Sequence, residues 1–327
     1  MLNPYLFKMK PYPLRMLVDI HAFCNARCGM CPYPKYAKTQ SQGHMTWDAY
    51  AKIIDEFSEM GRQYNFTPEL SYCYMGEVFL ANHVEKYVQH ATDQNIKVYL
   101  NTNAHVMTPE KIDALLATGF NGDFYISSHT HNPKTYKRIM GLEYQQTLDN
   151  ILYLLAHYDP SKVLIRGVDD RWEPGDKETW FDFWEPKGVK IEYLEPISRC
   201  GSVKRLLPSN LKTQIKEEKP VRLYGCQNNL PLYEMIVLYD GRAVMCCQDM
   251  GREHVFGNVI TEGVATVWNG DNRVNTVKRL YNGSKNSASF LCSKCEYALT
   301  ASELVTSVFS KAIGKLKPSA SAVTCEV

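Results

Sequence analysis

Three cysteines place the strongest constraint on this chain. Cys24, Cys28 and Cys31 stand in a C-x3-C-x2-C run directly after the apolar stretch 14–20. Thiolates are soft ligands, and three on one short loop can hold three irons of a 4Fe-4S cube while the fourth iron lacks a protein ligand. An open iron is a site for chemistry. A partial zinc site or redox thiols are the plainer alternatives. Zinc knuckles, however, bring a fourth Cys or His close by, and the nearest histidines are His21 and His44.

The surrounding pattern says where such a loop sits. Short apolar runs at 14–21, 69–75, 97–102, 123–128, 162–168 and 189–195 read as strands. Helical periods fall between them at 47–60, 83–94, 109–118, 144–157 and 178–184. Thr108-Pro109 opens one helix and Gly119 closes it, while Gly61 follows another. Six β/α units with right-handed crossovers make an α/β fold, a partial (β/α)6 TIM-like barrel with functional loops at the C-terminal strand ends. The cysteine loop follows the first strand, where such a fold puts chemistry.

With 327 residues the chain can bury a large core and carry a second, smaller domain. A net charge of +2 gives no reason to expect nucleic acid or an anionic membrane as a partner. No secretory h-region and no 18-residue apolar run stands in the sequence. Eleven cysteines without an export signal argue for metal ligation in a reducing cytoplasm over a disulfide framework.

The cysteine spacing resembles the signature of the radical S-adenosylmethionine (SAM) enzymes. The resemblance implies that the amino and carboxylate groups of SAM chelate the open iron. Reduction would then release a 5'-deoxyadenosyl radical that abstracts a substrate hydrogen. Other strand ends fit the same family. Met75-Gly76-Glu77-Val78 resembles its Gly-Gly-Glu-Pro motif, which holds the SAM ammonium, with Met75 and Val78 in place of Gly and Pro. Asn101-Thr102-Asn103 resembles the Thr-Asn-Gly turn, and Ser127-Ser128-His129 falls where a serine contacts SAM. Arg166 is placed to face the SAM carboxylate in a paired, charge-assisted bond. Gly76, Glu77, Asn103, Ser127 and Arg166 are thus the expected SAM-binding residues.

A second constellation lies downstream. Cys226, a Gly241-x4-Cys246 spacing and Cys292-x2-Cys295 supply four thiols from separate turns, enough to close a second 4Fe-4S cluster with no open iron. Asp240-Gly241 fits a hairpin turn that would bring Cys226 and Cys246 together. A structural zinc ribbon is the alternative use of four cysteines. With Gly257-Asn258-Val259 and Val267-Trp268-Asn269 between the thiols, the segment resembles the SPASM and twitch auxiliary-cluster domains of radical SAM enzymes. A full SPASM domain carries further cysteines, whereas only Cys325 follows Cys295, so one auxiliary cluster is expected, on Cys226, Cys246, Cys292 and Cys295. Cys247 could replace Cys246, and only the Gly-x4-Cys count favours the latter. Cys73 reads as a packed strand thiol, Cys200 as part of a connector, and Cys325 as part of a small-residue tail.

The expected organisation is a radical core over 1–197, a surface connector over 198–223, an auxiliary domain over 224–300 and a tail over 301–327. The single auxiliary cluster implies, by resemblance to an aminocyclitol dehydrogenase with one twitch cluster, oxidation or epimerisation of a small polar metabolite such as a sugar or cyclitol. A flavodoxin- or ferredoxin-type reductant is implied as well. Oxidation needs a base, for which His129, His131, Asp169 and Asp170 are candidates. Epimerisation needs a hydrogen donor, for which Cys200, Cys247 and several tyrosines qualify. A peptide-modifying enzyme is the second reading, disfavoured because the cluster loop is reached by Cys24, leaving no room for a peptide-binding domain before it. A non-catalytic iron-sulfur electron carrier is the third, and a carrier has no need of the SAM pocket that Gly76, Glu77 and Ser127 imply.

Overall fold

The computed structural model describes residues 8–72, 74–169, 172–204 and 221–305. Cys73, Asp170, most of the connector with Pro208, Ser209, Asn210 and its charged run 216–219, and the tail with Cys325 lie outside these. The chain divides into two compact units. One comprises Arg15–Pro196 with Val237–Gly241, the other Met1–Leu14, Ile197–Ile236 and Arg242–Glu326.

The first unit is built on six parallel strands that neighbour one another in chain order: β1 (Arg15–Val18), β2 (Glu69–Tyr72), β3 (Lys97–Thr102), β4 (Asp123–Ser127), β5 (Val163–Val168) and β6 (Lys190–Leu194). This is the partial (β/α)6 arrangement. β3 is buried at every position after Lys97, as a parallel strand covered on both faces must be. Helices fill the crossovers: α1 (Tyr33–Tyr36) and α2 (Trp47–Tyr64), α3 (Val84–Asp93), α4 (Pro109–Leu116), α5 (Pro133–Met140) with α6 (Tyr144–His157), and α7 (Asp176–Trp184). In α2 the Thr46 hydroxyl caps the Ala49 N–H at 3.3 Å, and Tyr50, Ile53, Ile54 and Phe57 form the buried stripe.

Two local expectations change. Gly61 does not end α2; the helix runs to Tyr64, and Asn65 closes it in the left-handed conformation at φ 53°. Gly61 instead permits close packing, since a Cβ there would lie 2.6 Å from Pro68 Cγ. Helix α5 was not expected. Its Asn132 side chain accepts from the N–H groups of Lys134 (3.0 Å) and Thr135 (3.3 Å), and Pro133 occupies the first helical position.

The second unit is made of short elements. Strands β7 (Val221–Arg222) and β12 (Lys285–Asn286) pair antiparallel, as do β8 (Gly225–Cys226) and β13 (Ala298–Leu299). β9 (Glu234–Val237) adjoins β10 (Arg242–Val244), which pairs with β11 (Val255–Asn258). Gly241 makes the turn before β10 at φ 84°, donating its N–H to Leu238 O at 2.8 Å. Helices α8 (Leu230–Tyr233), α9 (Val259–Glu262), α10 (Val264–Asn269) and α11 (Asp271–Tyr281) also belong to this unit. The Val267-Trp268-Asn269 landmark has a physical role: the Trp268 indole N–H and the Asn269 amide donate to the carbonyls of Lys10 and Pro11, both at 2.9 Å. Among the described residues no helix is long and apolar enough to cross a membrane.

Candidate active site

The cysteine loop begins where β1 ends, and backbone contacts fix it from three directions. Asp19, fully buried, accepts the N–H groups of Tyr74 (2.7 Å) and Met75 (3.2 Å), which ties the loop after β2 to the end of β1. Gly76 then packs so closely that a Cβ would meet His21 O at 2.8 Å and Phe23 O at 3.0 Å. Glu77 N–H donates to that same Phe23 O at 2.8 Å. From the opposite side, the last carbonyls of α5 accept from the loop: Arg27 N–H to Met140 O at 2.8 Å and Gly29 N–H to Ile139 O at 3.0 Å. Tyr33 closes the turn, its hydroxyl accepting from Cys24 N–H (2.8 Å) and from the Gln42 amide (3.0 Å).

The thiols of this loop are half-buried, and two of them are already bonded to the backbone. Cys24 Sγ accepts from Ala26 N–H and Cys31 Sγ from Tyr33 N–H, both at 3.4 Å. Burial, and then the nearby Glu77 carboxylate, push the Cys24 thiol well above its ordinary value. A metal that binds here must displace that proton. Such N–H···S bonds suit sulfur atoms that carry charge.

One pocket collects the strand-end residues. Cys24, Cys28, Gly76, Glu77, Asn103, Ser127 and Arg166 all line it, and Cys31 does not. The sequence reading had not singled out Ala26 and Met140 for this wall, nor Asn101, Thr102 and His129 as binding residues. Glu77 is the polar centre. Its Oε1 accepts from Thr102 Oγ1 (2.5 Å) and Phe79 N–H (3.2 Å), and its Oε2 from Asn103 N–H (2.7 Å). Burial raises this carboxyl, while the three hydrogen bonds and Lys111 pull it back toward ionisation. Asn103 also donates through its amide to Asn25 Oδ1 at 2.9 Å, linking this wall to the cysteine loop. Arg166 is held by a buried ion pair, Nε to Glu192 Oε2 at 2.6 Å, with its guanidinium over the Tyr125 ring.

Of the candidate bases, His129, His131 and Asp169 lie among the described residues and already hold hydrogen-bond partners. His129 Nδ1 accepts from Val168 N–H at 3.3 Å, so the neutral ring carries its proton on Nε2 and is a donor there. His131 stacks on Phe183 with ring centroids 3.7 Å apart and bonds the Tyr144 hydroxyl. Asp169 accepts from the Tyr193 hydroxyl at 2.8 Å.

In the second unit Cys226, Cys246, Cys292 and Cys295 line one cavity, beside Leu230, Pro231, Leu280 and Tyr297. Cys247 is fully buried and is not on this wall, which separates it from Cys246. Cys295 Sγ accepts from Tyr297 N–H at 3.4 Å. Burial raises the Cys226, Cys246 and Cys292 thiols, and neighbouring thiols add to the shift. Among the described residues no three His, Cys, Asp or Glu side chains converge to hold a single metal ion. Four thiols around one cavity suit a cube that offers one iron to each.

Comparison with known proteins bears on both units. The Radical SAM superfamily model matches residues 18–170, and the model of an iron-sulfur cluster-binding domain, SPASM, matches residues 226–296. This chain is a radical SAM protein with a SPASM-type iron-sulfur domain. The family implies a SAM-binding 4Fe-4S cluster and an auxiliary cluster, and the donor sets on the two units fit them. Among solved structures, BtrN in complex with AdoMet and 2-DOIA aligns at 17% identity and TM-score 0.55, covering 84% of this chain and 89% of that one. Streptococcus suis SuiB bound to precursor peptide SuiA aligns at 16% identity and TM-score 0.62, covering 88% and 70%. The anSMEcpe structure with bound AdoMet aligns at 13% identity and TM-score 0.62, covering 92% and 98%. At these identities the likeness is one of fold. No curated protein sequence matches the chain.

Proposed function

We propose that this radical SAM protein abstracts hydrogen from a carbon of a small polar metabolite, a sugar or cyclitol, and completes an oxidation or epimerisation with help from one auxiliary cluster. The observation that carries the reading is the pocket that joins Cys24 and Cys28 to Glu77, Asn103, Ser127 and Arg166. An iron-sulfur electron carrier has no use for such a pocket. When bound, the cluster and SAM supply a 5'-deoxyadenosyl radical.

The residues of the chain do the rest. Cys24, Cys28 and Cys31 hold the first cluster. A carboxylate has about four acceptor sites, and Glu77 uses three on Thr102, Phe79 and Asn103, which leaves one for the SAM ammonium. Arg166, fixed by Glu192, pairs with the SAM carboxylate, while Gly76, Asn103 and Ser127 complete the wall. Cys226, Cys246, Cys292 and Cys295 would ligate the auxiliary cluster, which would supply an acceptor for the electron that the substrate radical loses on oxidation. A flavodoxin- or ferredoxin-type protein in the cytoplasm supplies the reducing electron.

A peptide substrate is the second reading, supported by the likeness to SuiB bound to its precursor peptide. One experiment separates the two. Anaerobically reconstituted protein is incubated with SAM, dithionite and cell extract divided into metabolite and peptide fractions, and 5'-deoxyadenosine is measured. Stimulation by the metabolite fraction, with substrate hydrogen recovered in 5'-deoxyadenosine, is the expected result. Stimulation by the peptide fraction alone refutes the metabolite reading.

A further inference from the structure

A buried donor stands in the cysteine loop. Asn25 follows Cys24 directly, and its side-chain nitrogen, Nδ2, is buried without a hydrogen-bond partner among the described residues. Buried amide groups are seldom left so.

A relay of bonds fixes which way that nitrogen is turned. His105 N–H donates to Asn103 Oδ1 at 3.0 Å. A backbone N–H can only donate, so the Asn103 atom facing it is the oxygen, and the amide nitrogen is left for another partner. That nitrogen donates to Asn25 Oδ1 at 2.9 Å. The oxygen of Asn25 is therefore spent on Asn103, and its Nδ2 is turned away from it. Reversing the Asn25 amide would set donor against donor. Asn103 is itself anchored, since its backbone N–H donates to Glu77 Oε2 at 2.7 Å. The next residue, Ala104, is left-handed at φ 58° and donates its N–H to Thr102 Oγ1 at 2.9 Å.

The acceptor must come with what the loop binds. The sulfides and thiolates of a 4Fe-4S cube have no N–H or O–H to give and can only accept. Asn25 stands between two of the expected ligands, Cys24 and Cys28, and unlike them it does not line the pocket assigned to SAM. We propose that Asn25 is a hydrogen-bond donor to the first cluster, its Nδ2–H meeting a cluster sulfur and raising the cluster's reduction potential, with Asn103 as the positioning residue for that donor. A donor on sulfur offsets the negative charge that reduction adds, and such bonds are among the levers that set these potentials. The inference rests on ligation of the first cluster by Cys24, Cys28 and Cys31.

The test uses the full chain, reconstituted anaerobically without SAM and titrated redox-potentiometrically by electron paramagnetic resonance. The signal that disappears when Cys24, Cys28 and Cys31 are all replaced by Ala belongs to the first cluster. Asn25→Ala and Asn25→Asp both lack the donor, and Asn25→Asp keeps an oxygen for the Asn103 amide. Both should hold as much iron as the parent, about four per cluster. Loss of the donor in Asn25→Ala should make reduction about tenfold less favourable, about 59 mV for one electron. Asn25→Asp, which adds a negative charge, should fall at least as far. An unchanged or raised potential in Asn25→Ala overturns the proposal, and weaker SAM binding by that protein would then place the donor on the SAM carboxylate. A lowered potential in Asn25→Ala beside a parental one in Asn25→Asp also overturns it, because the lost bond to Asn103 would be the cause. If one variant loses the cluster, the potential of the other decides. Loss from both, with the fold intact by circular dichroism, overturns the proposal, since Asn25 would then shape the loop and not the potential. A parent with no signal beyond that of the protein lacking the three cysteines refutes the ligand assignment itself, which keeps the two failures distinct.

Discussion

Replacing Glu77 by Gln removes one charge and one acceptor from a site that has three donors aimed at it. With the Gln oxygen in the place of Oε1, the amide nitrogen faces Asn103 N–H, now 2.7 Å from an acceptor. In the other orientation it faces Phe79 N–H and the Thr102 hydroxyl. The hydroxyl can rotate; the backbone N–H groups cannot. Either way at least one buried N–H meets a donor, a cost of about 1–3 kcal/mol, and the remaining bonds fall from charge-assisted to neutral strength, about 1 kcal/mol less each. Burial works in the opposite direction, because the neutral amide escapes the desolvation that raises this carboxyl. The net expectation is a loss of about 2–3 kcal/mol. At roughly 2–4 °C per kcal/mol for a unit of this size, Tm drops by about 4–12 °C. Calorimetry on the cluster-free protein reads this without interference from metal loss, and SAM binding by the reconstituted variant should weaken in parallel. A Gln variant as stable as the parent would refute the argument, since it would mean that the carboxylate bonds only balance desolvation.

Three further outcomes follow from the same geometry. Asn132→Ala removes the cap of α5 and a 3.0 Å bond to Asp176; urea unfolding should show a loss of about 1–2 kcal/mol, and iron loading should fall because α5 holds the cysteine loop. Gly76→Ala forces a Cβ into the carbonyls of His21 and Phe23; overpacking of this kind costs about 1–3 kcal/mol, and titration calorimetry should find SAM affinity reduced. Burial, with His44 beside it, lowers His21 from 6.5 to about 4. Above pH 6.5 neither the folded nor the unfolded state charges this ring, and between 6.5 and 4 only the unfolded state does. Stability should therefore fall by up to about 3 kcal/mol as pH drops through that window. His21→Asn, which keeps an acceptor for Phe23 N–H, should flatten that part of the pH–stability curve.

Strand existence was legible because parallel strands are continuous apolar runs, and all six appear where the runs stand. Helix α5 escaped because Pro133–Met140 is barely two turns and carries three basic residues, Lys134, Lys137 and Arg138. Its Asn132-Pro133 opening and the Tyr136, Ile139, Met140 spacing were nonetheless readable. Most pocket residues expected from the sequence follow a strand in a recognisable motif, while Ser127 and Arg166 stand on the strands themselves. Thr102 and His129 stood within such motifs, but their places on the wall depend on which strand ends lie side by side, and no local pattern encodes that. Asp19 did leave a signal, a lone carboxylate at the end of an apolar run. Cys200 left none, since only tertiary closure brings it into the apolar cluster that holds Cys226, Cys246 and Cys292.

The two thiol sites are built on opposite principles, and the difference follows from what each must admit. At the first, Cys24, Cys28 and Cys31 are half-buried on a loop shaped by backbone bonds to α5, Gly76 and Tyr33. Its geometry is therefore set by the polypeptide before any metal arrives, and its open side faces polar residues suited to a zwitterion. At the second, Cys226, Cys246 and Cys292 are buried among Leu223, Leu280 and Phe290, and the cavity offers almost no polar wall. An apolar shell excludes water and disfavours added negative charge, which lowers the potential of a thiolate-bound cluster.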